Sequence, residues 1–328
     1  MAHIMNTALS FNDWSFLSMP QDQFALDLSK ATLFECIDEY TSVKRRLHPC
    51  VVNSTRNIKY HLSHLQDALH IELRVNQITS VFYTKFVEYL QNKGLRLSSI
   101  KMICEYIRAI ISWASDYNAI VHPSYKDIDF PKYRRQMIAL TADDVSRIYH
   151  FDLSHAKIRP QLRNTLEHVR DMFVLGCNLG QRVSDLSRID KSCFDVGRFH
   201  IVQQKTKQKA VVDICAMSID RRTTMEILER HNYQPPYMAD KSNYNKHIHQ
   251  LMHLVFGEEE VPQSIVTGNL SIDQTIPKYK AISSHTCRRT FATHNYLVRK
   301  YPAIDVMKAT GHADERTFHR YICGMDDE

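Results

Sequence analysis

Four stretches of helical periodicity before residue 118 most constrain what this chain can fold into. In Ser99–Tyr117, apolar side chains recur every three or four residues and form one stripe. Ser80–Lys93 has the same pattern and is followed by Gly94, a residue suited to end a helix. Because each helix must bury its apolar stripe, four in succession predict a helical bundle. The four predicted helices are Leu33–Arg46, Thr55–Leu69, Ser80–Lys93 and Ser99–Tyr117.

The second half of the chain combines helical patterns with one hairpin. Arg198–Gln204 and Ala210–Cys215 are rich in valine and isoleucine and are joined by a lysine-rich turn, which predicts two antiparallel strands. Thr141 lies where a capping-box-like sequence begins a helix. Later helices are predicted over Asn243–Phe256, Ser284–Arg299 and Ala303–Thr310. The predicted fold class is therefore mainly α with a small antiparallel β-sheet.

These patterns predict two domains within 328 residues. Residues 1–29 are expected to be poorly structured, and residues 30–122 to form the helical bundle. Residues 123–140 contain Pro123 and Pro131 and are predicted to be a basic linker. Residues 141–328 form the second predicted domain.

The charge of the chain is mildly basic, with a net value of +6. Residues 30–139 hold 16 basic and 10 acidic residues, so the excess is concentrated ahead of the second domain. A basic cluster is usually a solvated face, but it also suits a polyanionic partner. The candidate contact residues are Lys44, Arg45, Arg46, Lys132, Arg134 and Arg135.

The cysteines and the hydropathy of the chain exclude several classes of protein. Eight cysteines are spread singly, without a C-x-x-C pair, and neither a signal peptide nor an apolar run of membrane-spanning length is present. Reduced thiols in the cytoplasm are expected, with no membrane association. The histidines at 247, 249 and 253 lack the cysteine or glutamate partners of common zinc motifs, so no metal site is predicted.

The last forty-five residues hold several groups with chemistry in common. His285 and Arg288 are one helical turn apart, Gly311–His312 follows a predicted helix, and Tyr321 comes nine residues later. Each residue alone has a plain structural explanation: Tyr321 as a core aromatic within a short helix 314–322, or Gly311 as the left-handed end of a helix. Together they supply cations, imidazoles and a phenol, the groups needed for metal-free phosphoryl transfer to a tyrosine.

Two upstream residues extend this set. Arg182 follows an apolar helix that a glycine interrupts, at the start of the next helix. Lys205 lies in the turn of the predicted hairpin, where a solvated lysine is the ordinary explanation. With these two, six residues occur in one order along the chain.

That order resembles the tyrosine recombinases, or phage integrase family. The sequences 284–294, SHTCRRTFATH, and 307–314, MKATGHAD, are especially similar to integrases of bacterial mobile elements. The resemblance covers residues 140–322 strongly and the preceding hundred residues more weakly. One departure is Gln181, where the family usually has leucine before its first arginine.

The resemblance implies a role for each matching residue. Tyr321 would attack the scissile phosphate and form a 3′-phosphotyrosine bond. Arg182 and Arg288 would hold the non-bridging oxygens, a task that suits a planar guanidinium. Lys205 would protonate the leaving 5′-oxygen.

Further roles follow from the same resemblance. His285 would handle the tyrosine proton or donate to the phosphate, and His312 would be a second donor on the phosphate side. Asp185 would support Arg182 and His285 without itself contacting the phosphate. Gly311 would form the turn before His312.

The resemblance also implies an architecture and partners. The helical bundle would be a SAM-like core-binding domain that, with the mixed α/β catalytic domain, closes as a C-shaped clamp on double-stranded DNA. Self-association into a tetramer on two paired sites is implied, with an accessory DNA-bending protein as a further partner. No metal or ATP would be needed. Two alternatives stay open, a type IB DNA topoisomerase-like enzyme and a catalytically inert DNA-binding relative.

Overall fold

The computed structural model divides into two compact units, with the boundary between Tyr133 and Arg134. It describes residues 28, 30–130, 133–135, 137–237, 241–267 and 270–323, without the side chains of 133–135, 241–242, 264–267 and 270–272. The predicted poorly structured segment 1–29 lies outside the described residues, apart from Leu28. In the predicted linker, a 3₁₀ turn covers Pro123–Lys126 and strand β1 covers Tyr133–Arg135.

The first unit is the predicted helical bundle. Thr32 caps its first helix through a reciprocal capping box with Glu35. Side chains from all four helices form one continuous apolar core, in which Ile107 and Phe86 are almost completely buried. The helices are α1 (Leu33–Lys44), α2 (Val51–Leu69), α3 (Ser80–Asn92) and α4 (Leu97–Asp116).

Helices also dominate the second unit. The Thr141 side chain caps the first of them, as the sequence predicts. Residues 171–179 are buried on every face, because helices pack around the second half of the helix that contains them. These helices are α5 (Ala142–His150), α6 (Pro160–Leu179), α7 (Val183–Leu186), α8 (Ile214–Met217), α9 (Arg221–Arg230), α10 (Lys241–Phe256), α11 (Lys278–Ala281), α12 (Ser284–Thr293), α13 (Ala303–Thr310) and α14 (Glu315–His319).

The predicted hairpin belongs to a three-stranded antiparallel sheet, β2–β3–β4 (Phe194–Asp195, Arg198–Val202 and Lys209–Asp213). Its inward positions alternate with exposed ones, as a half-buried sheet requires. A second sheet has the order β1–β5–β6, and its strands β5 (Glu260–Thr267) and β6 (Leu270–Pro277) pair antiparallel along their whole length. No strand is predicted from the sequence of this segment.

Two further differences concern helix ends. The predicted helix Ser284–Arg299 is α-helical only to Thr293 and continues as a π-helix over His294–Val298. The predicted helix 314–322 ends at His319, so Tyr321 lies in the turn that follows it. None of the helices in the described ranges combines the length and apolarity needed to cross a membrane.

Candidate active site

A glycine turn positions Arg182. Helix α6 ends at Gly180, whose φ of +66° is left-handed and whose missing Cβ leaves room for the Phe291 ring. Arg182 is then the N-cap residue of α7. Its Nη1 donates a 2.6 Å hydrogen bond to Oε1 of Gln203, which fixes one side of the guanidinium.

Lys205 lies in the turn between β3 and β4, with its side chain exposed. The turn is closed by a backbone hydrogen bond from Gln203 N to Gln208 O, 2.9 Å long. The positive charge of Lys205 contributes to lowering the pKa of His285, so the turn lies near this histidine.

Arg288 is the largest fully buried side chain in the described part of the protein. Its Nη1 donates to the Gly180 carbonyl at 3.0 Å, and its Nη2 lies 3.2 Å from Nε2 of His312. Burial, reinforced by the charge of Arg182, lowers the pKa of this guanidinium to about 9, which leaves it protonated at neutral pH. The site therefore holds a desolvated cation whose direct partners are a carbonyl and an imidazole.

Hydrogen bonds fix the tautomer that we assign to His312. The Thr310 hydroxyl donates to the Val306 carbonyl at 2.6 Å, so its oxygen accepts from Nδ1–H of His312 at 2.8 Å. Nε2 then carries a lone pair and accepts from Arg288, since a guanidinium only donates. Burial, followed by the charges of Arg288 and Arg182, lowers the pKa of His312 to about 3. In this arrangement His312 accepts a hydrogen bond from Arg288, and its predicted role as a phosphate donor stays a prediction.

His285 is accessible to solvent but lies among cations. The protein packed around its ring disfavours the charged form and is the largest cause of its lowered pKa. The positive charges that add to this effect belong to Arg289, Arg182, Arg288 and Lys205. A neutral imidazole is therefore favoured at neutral pH.

Tyr321 lies against the same groups. Its ring centroid is 4.8 Å from that of His312, and the guanidinium carbons of Arg288 and Arg289 are 5.6 and 5.8 Å from it. The backbone after Tyr321 is anchored, because Cys323 N donates to the Thr293 hydroxyl at 3.1 Å. The phenol is thus placed beside two cations and an imidazole.

Asp185 is completely buried behind these residues. Its Oδ1 accepts from Nη2 of Arg188 at 3.1 Å and from the backbone N–H of Gln204 at 2.8 Å. The predicted support of Arg182 and His285 is therefore not made through direct hydrogen bonds. Asp185 instead ties α7 to the turn after β3, and its charge counteracts the lowering of the pKa of Arg288.

The structure brings together all six residues that the sequence predicts to be catalytic. Of the predicted DNA-contact residues, Lys44 is in the last turn of α1 in the first unit, and the exposed Arg45 and Arg46 follow it. Arg134 and Arg135 are in β1 with side chains outside the described part, and Lys132 is outside it entirely. Among the described residues, no group of three or more histidine, cysteine or acidic side chains could hold a metal ion.

Three polar residues of the site were assigned no site role from the sequence: Gln203, Arg289 and Gln181, the last noted only as a departure from the family pattern. Gln181 and Gln203 are buried and hydrogen-bonded to each other at 2.9 Å. Strand alternation could have revealed Gln203, because it continues the inward-facing series of Phe199 and Ile201. A glutamine at a buried strand position requires hydrogen-bond partners.

Comparison with known proteins agrees with this architecture. The family model described as the phage integrase SAM-like domain matches residues 32–134, which cover the helical bundle. A lambda integrase dimer bound to a COC′ core site has a TM-score of 0.64 with this chain at 16% identity, over 91% of this chain and 98% of that one. The chain has the fold of a tyrosine recombinase.

Other solved recombinases show the same likeness. A lambda integrase tetramer bound to a Holliday junction has a TM-score of 0.63 at 16% identity, over 92% of this chain and 81% of that one. The Tn1549 transposon integrase in complex with transposon right end DNA has a TM-score of 0.61 at 12% identity, over 90% of this chain and 96% of that one. Comparison with curated proteins found no significant match. The integrase fold is thus shown by the structural likeness, and the family model matches the helical bundle within it.

Proposed function

We propose that this protein is a site-specific DNA recombinase that cleaves and rejoins DNA strands through a 3′-phosphotyrosine at Tyr321, in the integration, excision or inversion of a mobile element. The observation that carries the proposal is the convergence of Tyr321 with the buried Arg288 and with His312, 4.8 Å from the phenol ring. Arg182 and Lys205, more than a hundred residues earlier in the chain, lie near enough to His285 for their charges to lower its pKa.

The electrostatics of the site suit a phosphodiester. Arg288 is desolvated, positively charged and held by a carbonyl and a neutral imidazole, so it is preorganised for an anion. Arg182, fixed on one side by Gln203, would supply a second guanidinium. Two arginines can bind the non-bridging oxygens and stabilise the charge of the transition state. We propose that strand exchange therefore needs neither a metal ion nor ATP.

In the proposed reaction one phosphoester bond forms as another breaks, and one proton is taken up as another is donated. The Tyr321 oxygen attacks phosphorus while the bond to the 5′-oxygen breaks, and His285 takes the phenol proton. The lowered pKa of His285 favours the neutral form, which can accept that proton. Lys205 gives a proton to the departing 5′-oxygen. The reverse steps rejoin the strand without a further energy source.

DNA binding and self-association are part of the same proposal. The solved recombinases with this fold are described as a dimer on a core site, as a tetramer on a Holliday junction, and on transposon end DNA. We propose double-stranded DNA as the partner and a tetramer on two paired sites as the active assembly. The exposed Arg45 and Arg46 would contact phosphates, and an accessory DNA-bending protein would be a further partner of the assembly.

A covalent capture experiment tests the reaction. Nicked duplexes with randomised internal sequence allow the released 5′-hydroxyl fragment to diffuse away, so cleaved complexes accumulate. We expect a denaturant-stable protein–DNA adduct that is absent for Tyr321→Phe, while non-covalent binding of the recovered sequences persists. Tyr279→Phe is the matched control, because this half-buried tyrosine contacts His253 and is expected to leave adduct formation unchanged.

The other outcomes each contradict the proposal. An adduct that persists in Tyr321→Phe would assign the chemistry to another residue. Tight binding with no adduct on any sequence would identify an inert DNA-binding relative. Relaxation of supercoiled plasmid without any recombinant product would favour a type IB topoisomerase-like enzyme.

A further inference from the structure

The side chain of Gln203 is completely buried and uses its full hydrogen-bonding capacity. Its Oε1 accepts from Nη1 of Arg182 at 2.6 Å and from the Thr206 hydroxyl at 2.9 Å. Its Nε2 donates to Oε1 of Gln181 at 2.9 Å and to the Thr310 carbonyl at 2.7 Å. One amide thus joins three segments of the second unit: residues 181–182, the turn after β3 and the end of α13.

The orientation of this amide is determined by its neighbours. Gln181 Nε2 donates to the carbonyls of Leu179 and Ala309, at 2.7 and 2.8 Å, so its oxygen must face Gln203. Turning the Gln203 amide over would place oxygen against oxygen there and an NH₂ group against the guanidinium of Arg182. The network therefore has one satisfied arrangement.

The backbone of Gln203 also defines the turn that carries Lys205. Its N–H donates to the Gln208 carbonyl at 2.9 Å, and its carbonyl accepts from the Lys207 N–H at 3.0 Å. A displacement of Gln203 would therefore move the lysine turn and the Arg182 partner together.

Gly311 completes the packing around this side chain. A Cβ at Gly311 would lie 2.6 Å from the amide carbon of Gln203. The next residue is His312, which accepts from Arg288. The amide plane of Gln203 thus fills the space that a side chain at Gly311 would take, directly beside the histidine.

We propose that Gln203, supported by Gln181, is a positioning residue that holds the Arg182 guanidinium, the Lys205 turn and the Gly311–His312 turn in one fixed relation. The inference rests on the function proposed above. Gln203 would not touch DNA; it acts through residues that do. Because misplacement of reacting groups by about 1 Å can cost about 100-fold in rate, its loss should impair cleavage far more than binding.

The test compares Gln203→Met with Gln204→Met. Methionine keeps the length of glutamine but cannot make the four hydrogen bonds. Gln204 is the adjacent glutamine, its side chain is exposed, and its hydrogen bond to Asp185 comes from the backbone, so Gln204→Met is a matched control. On duplexes recovered by covalent capture, we expect cleavage by Gln203→Met to be slower by about 100-fold. We expect the control to cleave within about twofold of the unsubstituted protein, and DNA affinity to change little in either variant.

A double-mutant cycle separates positioning from general destabilisation. If Gln203 acts through Arg182, Gln203→Met should have a much smaller effect on cleavage when Arg182→Ala is already present. Substrates with a 5′-thiol leaving group would keep these slow rates measurable. Thr206→Val is a milder variant, because it removes a single donor to Gln203 Oε1 at a half-exposed site, and it should slow cleavage less than Gln203→Met.

Hydrogen exchange gives a readout that does not depend on activity. In Gln203→Met, amides of residues 204–208 and of 311–313 should exchange faster together, and in Gln204→Met neither segment should change. Two results would overturn the inference. One is faster exchange in the 204–208 turn alone; the other is an equal loss of cleavage rate on Gln203→Met in the unsubstituted protein and in the Arg182→Ala background. If the unsubstituted protein forms no adduct, the proposed function fails, while the exchange pattern still decides whether Gln203 ties these segments together.

Discussion

Replacing Gly311 with alanine would test how tightly the candidate site is packed. Gly311 has a φ of +64°, in the left-handed region, and it ends helix α13. A Cβ there would lie 2.6 Å from both the amide carbon and Oε1 of Gln203. The side chain of Gln203 cannot move away without losing hydrogen bonds to Arg182 and Thr310.

The expected loss of stability has two parts. The left-handed conformation costs an alanine about 1–2 kcal/mol. Overpacking a filled site costs about 1–3 kcal/mol more. Gly257 is the comparison that separates the backbone cost from the packing cost. Its φ is +55°, but no described atom beyond its chain neighbours lies within 4 Å of a Cβ built there. We therefore expect Gly311→Ala to lower the free energy of unfolding by about 2–5 kcal/mol and Gly257→Ala by about 1–2 kcal/mol.

Urea unfolding followed by circular dichroism would measure both variants. Both tryptophans, Trp14 and Trp113, precede the second unit, so tryptophan fluorescence would not report on it directly. In a Gln203→Ala background the contact is relieved, and Gly311→Ala should then cost about as much as Gly257→Ala. Equal costs for the two glycines in the unsubstituted background would refute the packing argument.

Three further predictions concern chemistry, pH and the bundle core. Lys205→Ala should slow cleavage by about 100-fold or more when the leaving group is a normal 5′-oxygen. Cleavage with a 5′-thiol leaving group should be spared, since a thiolate leaves without an acid. Equal slowing of both substrates in single-turnover assays would show that Lys205 does not protonate the leaving oxygen. The pKa of His312 is lowered to about 3 in the folded state, whereas an unfolded histidine titrates near 6.5. The unfolded state therefore binds the proton first, so stability should fall by about 1–2 kcal/mol between pH 7 and pH 5 from this group. Urea unfolding of His312→Asn should show a smaller loss of stability between pH 7 and pH 5. A pH dependence identical to that of the unsubstituted protein would contradict the lowered pKa of His312. In the first unit, Ile107→Ala should lower the free energy of unfolding by about 2–5 kcal/mol, and Ile120→Ala, at an exposed position, by less than about 0.5 kcal/mol. The fluorescence of Trp113 during unfolding would measure both variants.

Local signals explain which elements the sequence predicts well. The bundle helices follow from apolar periodicity, and α13 has the predicted bounds, Ala303–Thr310, because Gly311 ends it. The β5–β6 hairpin was missed, since its sequence is polar and contains Pro262, which hides the strand pattern. Pairing between strands is a tertiary interaction that neither segment displays alone.

Helix ends near the site were less predictable. The π-helix over His294–Val298 and the end of α14 at His319 depend on how these segments pack on each other. Tyr296 in the π-helix contacts Phe318 and His319, with ring centroids 5.5 and 5.6 Å apart. These contacts leave Tyr321 in a turn beside the cations instead of within a helix.

The sequence by itself determined the helical first domain, the hairpin with Lys205 and the candidate set from Arg182 to Tyr321. These features depend on residue type, residue order and local periodicity, which can be read directly from the sequence. The tertiary structure alone decided how those residues meet. Burial turned Arg288 into a desolvated cation, and hydrogen bonds made His312 its acceptor. The packing of Gln203 under Gly311 came from segments a hundred residues apart, which no local pattern could connect.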